Sequence, residues 1–411
     1  MTYWSLVVCQ FDLLKDAAFR AEAQPRLDYS SHRGPFSYST TTLKEMHSRL
    51  SFLPLLLANT GAGYLLPNPP GKYNVTLTTG TLTDYNRDAR TLMLSVFRPA
   101  TCASTVPVFN MPNKTAEYQG PWIQKMFNVS LDLTPLFLEA RLPVCPDDPS
   151  SCSPLHDVPV LLLSPGYRGS RLYYNVIASA IASEGFIVIT MDHPGESNVI
   201  TYPDGHTVYS NLSNVVDLDE LAPYAYARAA DISFTIDQLS NTTATSELLP
   251  QQFQSPTDRV AVLGHSLGGA SAVLAASQDP RIHSALNIDG PFFGSLPPSG
   301  LSSPVLYVAT ERDDDPRFLA IWPELTGPKL WIKIANLAHE GMLDIPTMLQ
   351  AAGQYTGELA ELFGTTAPSE WVRIMTAYAT EWMEGAFAGP LLQGREPDRF
   401  PEVSVVRKGN F

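Results

Sequence analysis

The sequence predicts an α/β fold, in which a mostly parallel central sheet is covered by helices on both faces. Three observations support this prediction. Apolar runs of β type recur along the chain, helical patterns separate the later runs, and 44% of the 411 residues are hydrophobic against 17% charged, enough to bury a large core in one domain. The strand-like runs lie at about residues 75–82, 91–97, 158–163, 186–191, 260–263, 284–288, 304–309 and 330–334. The helical patterns lie at about residues 172–184, 223–238, 269–277 and 370–386.

The N-terminal residues are expected to lie outside this domain. Residues 1–45 lack periodicity and are predicted to be a non-structural extension. Residues 46–63 combine a basic start, an apolar stretch at residues 50–58 and small residues at the end, which is typical of a secretory signal peptide. This pattern favours translation from Met46, and a buried helix or hydrophobic loop is the alternative. A single domain is then expected over residues 64–411.

A proline-rich segment interrupts the predicted domain at residues 98–155. The chain has 35 prolines, and long irregular segments of this kind are usually insertions on a rigid scaffold. Within it, residues 122–127 are apolar and aromatic. They fit either packing against the core or contact with acyl chains, and core packing is favoured.

Five glycosylation sequons, all downstream of the predicted signal peptide, favour a secreted, extracellular protein. The five sequons begin at Asn74, Asn113, Asn128, Asn211 and Asn241. The cysteines are Cys9, Cys102, Cys145 and Cys152. If processing removes Cys9, one disulfide and one further thiol are expected. Cys145 with Cys152, and Cys102 with either of them, are all allowed.

The most informative motif lies at residues 260–269, which read Val-Ala-Val-Leu-Gly-His-Ser-Leu-Gly-Gly. An apolar strand-like run breaks into a Gly-x-Ser-x-Gly turn and enters a helix of small residues. A serine on such a strained turn projects its hydroxyl outwards, and the glycines avoid collisions with neighbouring elements. Ser266 is therefore the predicted nucleophile, with a purely structural glycine-rich turn as the alternative.

A serine nucleophile needs a base, and in folds with this turn the chain order is serine, acid, histidine. Of the eight histidines, only His283 and His339 follow Ser266. His283 begins a strand-like run and would precede any acid at the end of that strand. His339 follows the apolar run at residues 330–334, where a loop would present an imidazole, so it is the predicted base.

Two acidic positions fit the third place in this order. Asp289 closes the apolar run at residues 284–288, whereas the cluster Asp313 to Asp315 follows the run at residues 304–309. A single carboxylate at the end of a buried strand must be paired, but three adjacent aspartates repel one another and prefer solvent. Asp289 is therefore favoured, and the cluster remains the alternative.

Backbone amides that stabilise an oxyanion are expected from two places: the residue after the nucleophile, and the loop after an earlier strand. The first is Leu267. The second should lie in the Pro-Gly loop that follows the run at residues 158–163, where the backbone N–H of Tyr167 is the predicted donor. An ordinary strand-to-helix loop is the alternative explanation of the glycines at 166 and 169.

Several segments together resemble the secreted, plasma-type platelet-activating factor acetylhydrolase family (isoform II), a branch of the α/β-hydrolases. The matching segments are Ser-Pro-Gly-Tyr-Arg-Gly-Ser-Arg at 164–171, residues 182–193, Gly-His-Ser-Leu-Gly-Gly at 264–269, Leu-Asn-Ile-Asp-Gly at 286–290 and Leu-Ala-His-Glu at 337–340. They fall within about residues 73–353. The resemblance implies the α/β-hydrolase fold, the catalytic residues Ser266, Asp289 and His339, and the amides of Tyr167 and Leu267.

The resemblance also implies an activity. It indicates a secreted esterase that removes the short sn-2 acyl group of phospholipids related to platelet-activating factor. The segment Asp-His-Pro-Gly-Glu at 192–196 is also similar to polyester hydrolases, so a broader carboxylesterase or polyester hydrolase is the alternative. A non-catalytic binding protein on the same scaffold is a remote alternative, because it would require a missing catalytic residue.

The charge balance excludes other classes of partner. A net charge of −14 and a pI near 5.0 argue against nucleic acid, which requires clustered Lys and Arg, and against anionic membranes. No spacing resembles a zinc site, and neither a metal nor another cofactor is expected. The expected partner is a small-molecule or lipid ester, with transient contact with lipid surfaces.

Overall fold

A computed structural model of the protein describes residues 63–147, 152–155, 158–213, 217–246, 248–249, 260–310, 315–385, 388–396 and 398–411. The predicted N-terminal extension, and all but the last residue of the predicted signal peptide, lie outside these ranges. Within them, no helix combines the length and the apolar character that crossing a bilayer requires.

The strands and helices alternate along the second half of the chain, as the sequence predicted. The strands are β1 (Tyr64–Leu65), β2 (Asn74–Asp84), β3 (Arg90–Cys102), β4 (Val106–Phe109), β5 (Ala140–Val144), β6 (Cys152–Pro154), β7 (Val160–Ser164), β8 (Ile187–Asp192), β9 (Val199–Thr201), β10 (Thr207–Tyr209), β11 (Val260–His265), β12 (Ile282–Ile288), β13 (Val305–Ala309), β14 (Lys329–Ile334) and β15 (Val403–Gly409). The helices are α1 (Asn113–Phe127), α2 (Thr134–Glu139), α3 (Asn175–Ala182), α4 (Ala222–Leu239), α5 (Leu267–Gln278), α6 (Pro316–Ile321), α7 (Ile345–Ala351), α8 (Gly357–Phe363) and α9 (Pro368–Met383). The helix predicted at 172–184 begins as a 3₁₀ turn (Arg171–Tyr174) before α3.

The central sheet is mostly parallel, which confirms the predicted fold class. Its strand order is β15-β14-β13-β12-β11-β7-β8-β3-β2, with β6 paired to β3. The six strands from β14 to β8 run parallel, while β15, β3 and β2 are antiparallel to their neighbours. Since parallel strands end at one edge of a sheet, the loops after β7, β11, β12 and β14 meet at that edge.

Both faces of the sheet are buried. Alternate residues of each central strand point to opposite sides, so Leu263 and Leu286 enter one apolar core while Val262 and Ala285 enter the other. Helices α3, α7 and α9 contribute to the first core, and α4 and α5 contribute to the second. This double burial explains why the central strands are continuous apolar runs rather than alternating ones.

The proline-rich segment at residues 98–155 contains structure of its own. Strand β5 pairs with β1 on one side and with β4 on the other in a small separate sheet, and α1 and α2 lie between β4 and β5 in the chain. In α1, Ile123 and Phe127 are buried in the first core, whereas Met126 is 40% exposed. Packing against the core is therefore the main role of the apolar patch at residues 122–127.

Of the disulfides that the sequence allowed, the structure contains Cys102–Cys145, with a Cα–Cα distance of 6.0 Å. This bond joins the end of β3 to the residue after β5. Cys152 is buried on β6 directly opposite Cys102 in the ladder and lies outside the disulfide.

Candidate active site

Ser266 lies on a strained turn between β11 and α5. Its backbone has φ 56° and ψ −123°, a region that side-chain-bearing residues rarely adopt. A Cβ on Gly264 would lie 2.0 Å from the carbonyl oxygen of Gly268, and a Cβ on Gly268 would lie 2.1 Å from that of Ser164. The two glycines of the motif are therefore required by close backbone approach. They allow the chain to turn sharply enough to leave the serine partly exposed.

His339 and Asp289 are paired at the same edge of the sheet. Asp289 is fully buried directly after β12, and its Oδ2 accepts a hydrogen bond from His339 Nδ1 at 2.6 Å. Its Oδ1 accepts from Thr310 N at 3.1 Å, directly after β13. Because an ionised carboxylate is only an acceptor, this contact places the His339 proton on Nδ1 and leaves Nε2 for another partner.

The structure brings His339 to the serine turn. The His339 ring lies 4.4 Å, centroid to centroid, from that of His265, the residue immediately before Ser266. His265 Nε2 donates to the backbone carbonyl of His339 at 3.1 Å, and Ser266 N donates to the carbonyl of Ile288 at 2.8 Å. The three sequence-predicted residues, here called the elbow set (Ser266, His339 and Asp289), thus converge from three different loops.

The strained conformation near the acid lies on Asp289 itself and not on the glycine that follows it. Asp289 itself has φ 49°, and Gly290 does not have a positive φ. A Cβ on Gly290 would instead lie 2.2 Å from the carbonyl oxygen of Ser266, so glycine is required there for close approach. Asn287 fixes the turn, because its side chain bonds both N and O of Gly290, at 2.9 and 2.8 Å.

The rival candidates lie elsewhere or outside the described residues. Asp313 and Asp314 belong to the ranges that the structure does not describe. Asp315 caps α6 by accepting hydrogen bonds from Arg317 N and Phe318 N at 3.0 and 2.9 Å. His283 is an exposed residue near the start of β12, away from the edge where that strand ends.

The loop after β7 runs beside the serine. The position that a Cβ would take on Gly166 lies 3.5 Å from Ser266 Cβ. Gly166 N donates to the hydroxyl of Tyr174 at 3.1 Å, which in turn bonds His265 Nδ1 at 2.9 Å. Tyr167 therefore directly follows a residue that adjoins Ser266. Leu267, the other predicted donor, is the first residue of α5, where backbone N–H groups have no partner within the helix.

Sequence reasoning missed a buried polar network behind this loop. Its core, here called the buried set, consists of Ser164, His193 and Asp231. Ser164 Oγ bonds His193 Nε2 at 2.8 Å, and His193 Nδ1 bonds Asp231 Oδ2 at 2.8 Å. Arg90 bonds both carboxylate oxygens of Asp231, each at 2.8 Å. All three members are fully buried.

Burial and charge determine the protonation of the buried set. Burial lowers the pKa of His193, and the nearby Arg228 charge adds to this effect. Burial alone would raise the pKa of Asp231, but hydrogen bonds from His193 and Arg90 outweigh it and hold that pKa well below its usual range. His193 is thus a neutral ring that donates through Nδ1 and accepts the Ser164 hydroxyl at Nε2.

A sequence signal for this network existed. Arg228 and Asp231 lie three residues apart in α4, so they share one face of a helix whose neighbouring positions are alanine and isoleucine. Charged residues on an otherwise apolar helix face are buried only when they are paired. Together with the segment at 192–196, this pattern would have indicated an internal ion-pair cluster.

The predicted glycosylation sites have different surroundings. Asn113, Asn128, Asn211 and Asn241 are exposed. Asn74 is half-buried at the start of β2, and its side-chain nitrogen donates to the carbonyl of Cys102 at 3.1 Å. The described ranges hold no group of three or more His, Cys, Asp or Glu side chains arranged to ligate a metal ion.

Comparison with known families agrees with this architecture. Residues 160–407 match the model of the alpha/beta hydrolase family. The chain belongs to the α/β-hydrolase family. Residues 60–219 of this α/β-hydrolase also match the model of platelet-activating factor acetylhydrolase, isoform II, which confirms the resemblance found in the sequence.

Individual relatives of this α/β-hydrolase are ester hydrolases. A probable 1-alkyl-2-acetylglycerophosphocholine esterase of Arthroderma benhamiae is 27% identical over 83% of this chain and 94% of its own length. A platelet-activating factor acetylhydrolase of Cavia porcellus is 22% identical over 50% of this chain and 52% of its own. A ferulic acid esterase structure from Streptomyces cinnamoneus is 25% identical, with a TM-score of 0.68 over 84% of this chain and all of that one. The protein is accordingly a carboxylic ester hydrolase.

Proposed function

We propose that this chain is a serine esterase that hydrolyses the short sn-2 acyl ester of phospholipids related to platelet-activating factor. The observation that carries the proposal is the 2.6 Å bond between Asp289 and His339, with the His339 ring packed against the residue preceding Ser266. This arrangement supports Ser266 as the nucleophile, His339 as its base and Asp289 as the acid that orients the base.

In the proposed reaction, His339 Nε2 removes the proton of Ser266 while Ser266 Oγ attacks the ester carbonyl carbon. The tetrahedral intermediate collapses as His339 returns the proton to the departing alcohol, which leaves an acyl-enzyme. Water, deprotonated by His339, then attacks the acyl-enzyme, and His339 returns this proton to Ser266 Oγ as the acid leaves. Asp289 stays ionised throughout and stabilises the imidazolium.

The negative charge that develops on the carbonyl oxygen requires hydrogen-bond donors. We assign this role to the backbone amides of Tyr167 and Leu267. Leu267 begins α5, so the partial positive charge of the helix N-terminus adds to its hydrogen bond. Tyr167 lies on the neighbouring loop, directly after Gly166, where an added Cβ would lie 3.5 Å from Ser266 Cβ.

The test of the chemistry is labelling by a fluorophosphonate, which reacts with an activated serine. We expect the label on the peptide that contains Ser266 and none on the Ser266→Ala variant. The test of the substrate compares hydrolysis of an acetyl-glycerophosphocholine with that of p-nitrophenyl acetate and a long-chain triglyceride. Strong preference for the triglyceride would contradict the proposed substrate class.

A broader carboxylesterase is the second candidate. The structural similarity to a ferulic acid esterase over 84% of the chain favours it, because that protein acts on an aromatic ester. Adding methyl ferulate to the same comparison separates the two candidates. Hydrolysis of methyl ferulate with a higher kcat/KM than the acetyl phospholipid would favour the broader enzyme.

We also propose that the protein is secreted. The Cys102–Cys145 disulfide fits an oxidising compartment, and four of the five sequon asparagines are exposed. Expression in a eukaryotic secretory host should give enzyme in the medium that loses mass on treatment with an endoglycosidase. N-terminal sequencing of the native protein tests the signal peptide, and a mature chain that begins at residue 1 or 2 would contradict it.

A further inference from the structure

We infer that Arg228 is a positioning residue of the oxyanion hole: its guanidinium fixes the Gly166–Tyr167 peptide so that the N–H of Tyr167 faces the reacting carbonyl. The inference rests on the proposed function, because the orientation of the Tyr167 N–H affects catalysis only if that N–H stabilises the oxyanion. Arg228 does not touch the substrate in this scheme.

Arg228 donates to two carbonyls of the loop after β7 and to one carboxylate of the loop after β8. One terminal nitrogen donates to the carbonyl of Pro165, and the other donates to the carbonyl of Gly166 at 3.2 Å. Its Nε donates to Glu196 Oε2 at 2.8 Å. Arg228 is fully buried and Glu196 nearly so, which makes this a desolvated ion pair.

The geometry of a peptide bond converts these contacts into an orientation of Tyr167. In a trans peptide the carbonyl oxygen of one residue and the N–H of the next point in opposite directions. The described residues contain no cis peptide bond. Arg228 holds the oxygen of Gly166, so the N–H of Tyr167 must point away from Arg228. Ser266 adjoins this peptide, because a Cβ on Gly166 would lie 3.5 Å from Ser266 Cβ. In the proposed geometry the N–H of Tyr167 points towards that side.

Two further bonds fix Gly166 from other directions. Gly169 N donates to the same carbonyl oxygen at 2.9 Å, and Gly166 N donates to Tyr174 Oη at 3.1 Å. Rotation of the Gly166–Tyr167 peptide would break both bonds to the Gly166 oxygen. The guanidinium also places positive charge on the oxygen end of the peptide dipole, which strengthens the N–H as a donor.

Arginine is suited to this position and lysine is not. The planar guanidinium presents several N–H groups in a fixed arrangement, so it bonds two carbonyls and one carboxylate at once. A lysine ammonium is a point charge on a flexible stem and would not hold the three acceptors in the same geometry. The buried Glu196 compensates the charge, so Arg228 can remain charged in a region without solvent.

The experiment compares Arg228→Met and Arg228→Lys with the wild-type full chain. The readouts are kcat per site titrated with a fluorophosphonate, KM for an acetyl ester, and affinity for a trifluoromethyl ketone. The ketone forms a hemiketal oxyanion with Ser266 and thus reports on the oxyanion hole. Removal of an oxyanion donor typically costs about 10²–10³-fold in kcat, and we expect misorientation by Arg228→Met to cost about 10–100-fold, with KM nearly unchanged.

The matched control is Arg90→Lys. Arg90 belongs to the same internal cluster, bonds Asp231 and the carbonyl of Pro194, and makes none of the carbonyl contacts that Arg228 makes to the loop after β7. We expect this variant to unfold at lower denaturant concentration while kcat per titrated site stays within about twofold of wild type. Arg228→Lys should lower kcat by an intermediate factor, in parallel with a loss of ketone affinity.

The outcomes are distinguishable. Arg228 variants that keep wild-type kcat per titrated site, whatever their stability, would overturn the inference. If Arg228→Met does not fold, Arg228→Lys decides: a loss of kcat greater than that of Arg90→Lys supports the inference, and an equal loss overturns it. Failure of the proposed function appears separately, as a wild-type protein in which Ser266 is not labelled.

Discussion

Two serine–histidine–aspartate sets of the same composition lie in this molecule, and their surroundings differ completely. The elbow set consists of Ser266, His339 and Asp289, and the buried set consists of Ser164, His193 and Asp231. In both sets the aspartate accepts a hydrogen bond from histidine Nδ1, at 2.6 Å in the first and 2.8 Å in the second. The side-chain chemistry alone therefore does not distinguish them.

The surroundings of each serine distinguish the two sets. Ser266 is partly exposed at positive φ and is followed by the N-terminus of a helix. Ser164 is the last residue of β7 and has no exposed surface. Arg90 also bonds the aspartate of the buried set, which fixes that carboxylate in place. The comparison shows that access, a strained turn and nearby amide donors separate a proposed nucleophile from a structural hydrogen-bonding serine.

The largest expected effect on activity comes from removing the hydroxyl of each serine in turn. We expect Ser266→Ala to lower kcat for an acetyl ester by about 10⁴-fold or more, because the proposed nucleophile is removed. Ser164→Ala should cost less than about tenfold in kcat and about 1–2 kcal/mol of unfolding free energy, since His193 Nε2 loses its donor. The measurements are initial rates and urea unfolding. Comparable losses of activity in the two variants would contradict the comparison.

Substitution of the two aspartates should have different effects, mainly on kcat in the elbow set and mainly on stability in the buried set. Asp289→Asn should lower kcat by about 10³–10⁴-fold while stability changes little, since asparagine favours the wrong tautomer of His339. Asp231→Asn removes the partner of Arg90 and should lower the free energy of unfolding by about 3–5 kcal/mol. Folded Asp231→Asn protein, counted by fluorophosphonate titration, should retain most of its kcat. A reversed pattern would show that the roles of the two sets are exchanged.

The pH dependence of stability should depend on the buried histidine. The pKa of His193 is lowered in the fold from its ordinary value of 6.5. Below about pH 6.5 the unfolded chain therefore binds a proton that the folded chain does not, and stability falls as pH decreases. For one proton the slope is at most about 1.4 kcal/mol per pH unit.

His193→Gln should remove this part of the slope, because glutamine stays neutral and can bond both neighbours. Urea unfolding of both proteins between about pH 5 and pH 7.5 measures the difference, in which contributions of the other histidines cancel. Parallel stability curves for the two proteins would contradict the assignment.

The smallest expected effect concerns the second oxygen of Asp289. Thr310 Oγ1 lies 3.3 Å from Asp289 Oδ1, and the backbone N of Thr310 bonds the same oxygen. Thr310→Val keeps the backbone bond and removes the weak hydroxyl contact. We expect a loss of about 1 kcal/mol, or roughly fivefold in kcat. Thr310→Ser, which keeps a hydroxyl, is the matched control and should stay close to wild type.

Sequence reasoning recovered the elements of the fold because each one follows a local rule. The continuous apolar runs predicted buried parallel strands, and the small-residue helix after Ser266 predicted a close strand-to-helix turn. It also placed His339 on a loop after the last parallel strand by chain order alone. It did not recover the roles of Arg228, His193 and Asp231, because no recognised motif or chain order links them and their contacts join residues separated by 29 to 63 positions.

What the sequence by itself determined is the fold class, the strained turn at Ser266 and the order of the residues proposed for catalysis. These depend on neighbouring residues or on periodicity, and both are visible along the chain. Only the tertiary structure decided which cysteines pair, which aspartate meets His339, and which of two serine–histidine–aspartate sets reaches solvent. Those outcomes depend on which strands lie side by side and on how deeply each loop is buried. Neither can be read from the positions of residues along the chain.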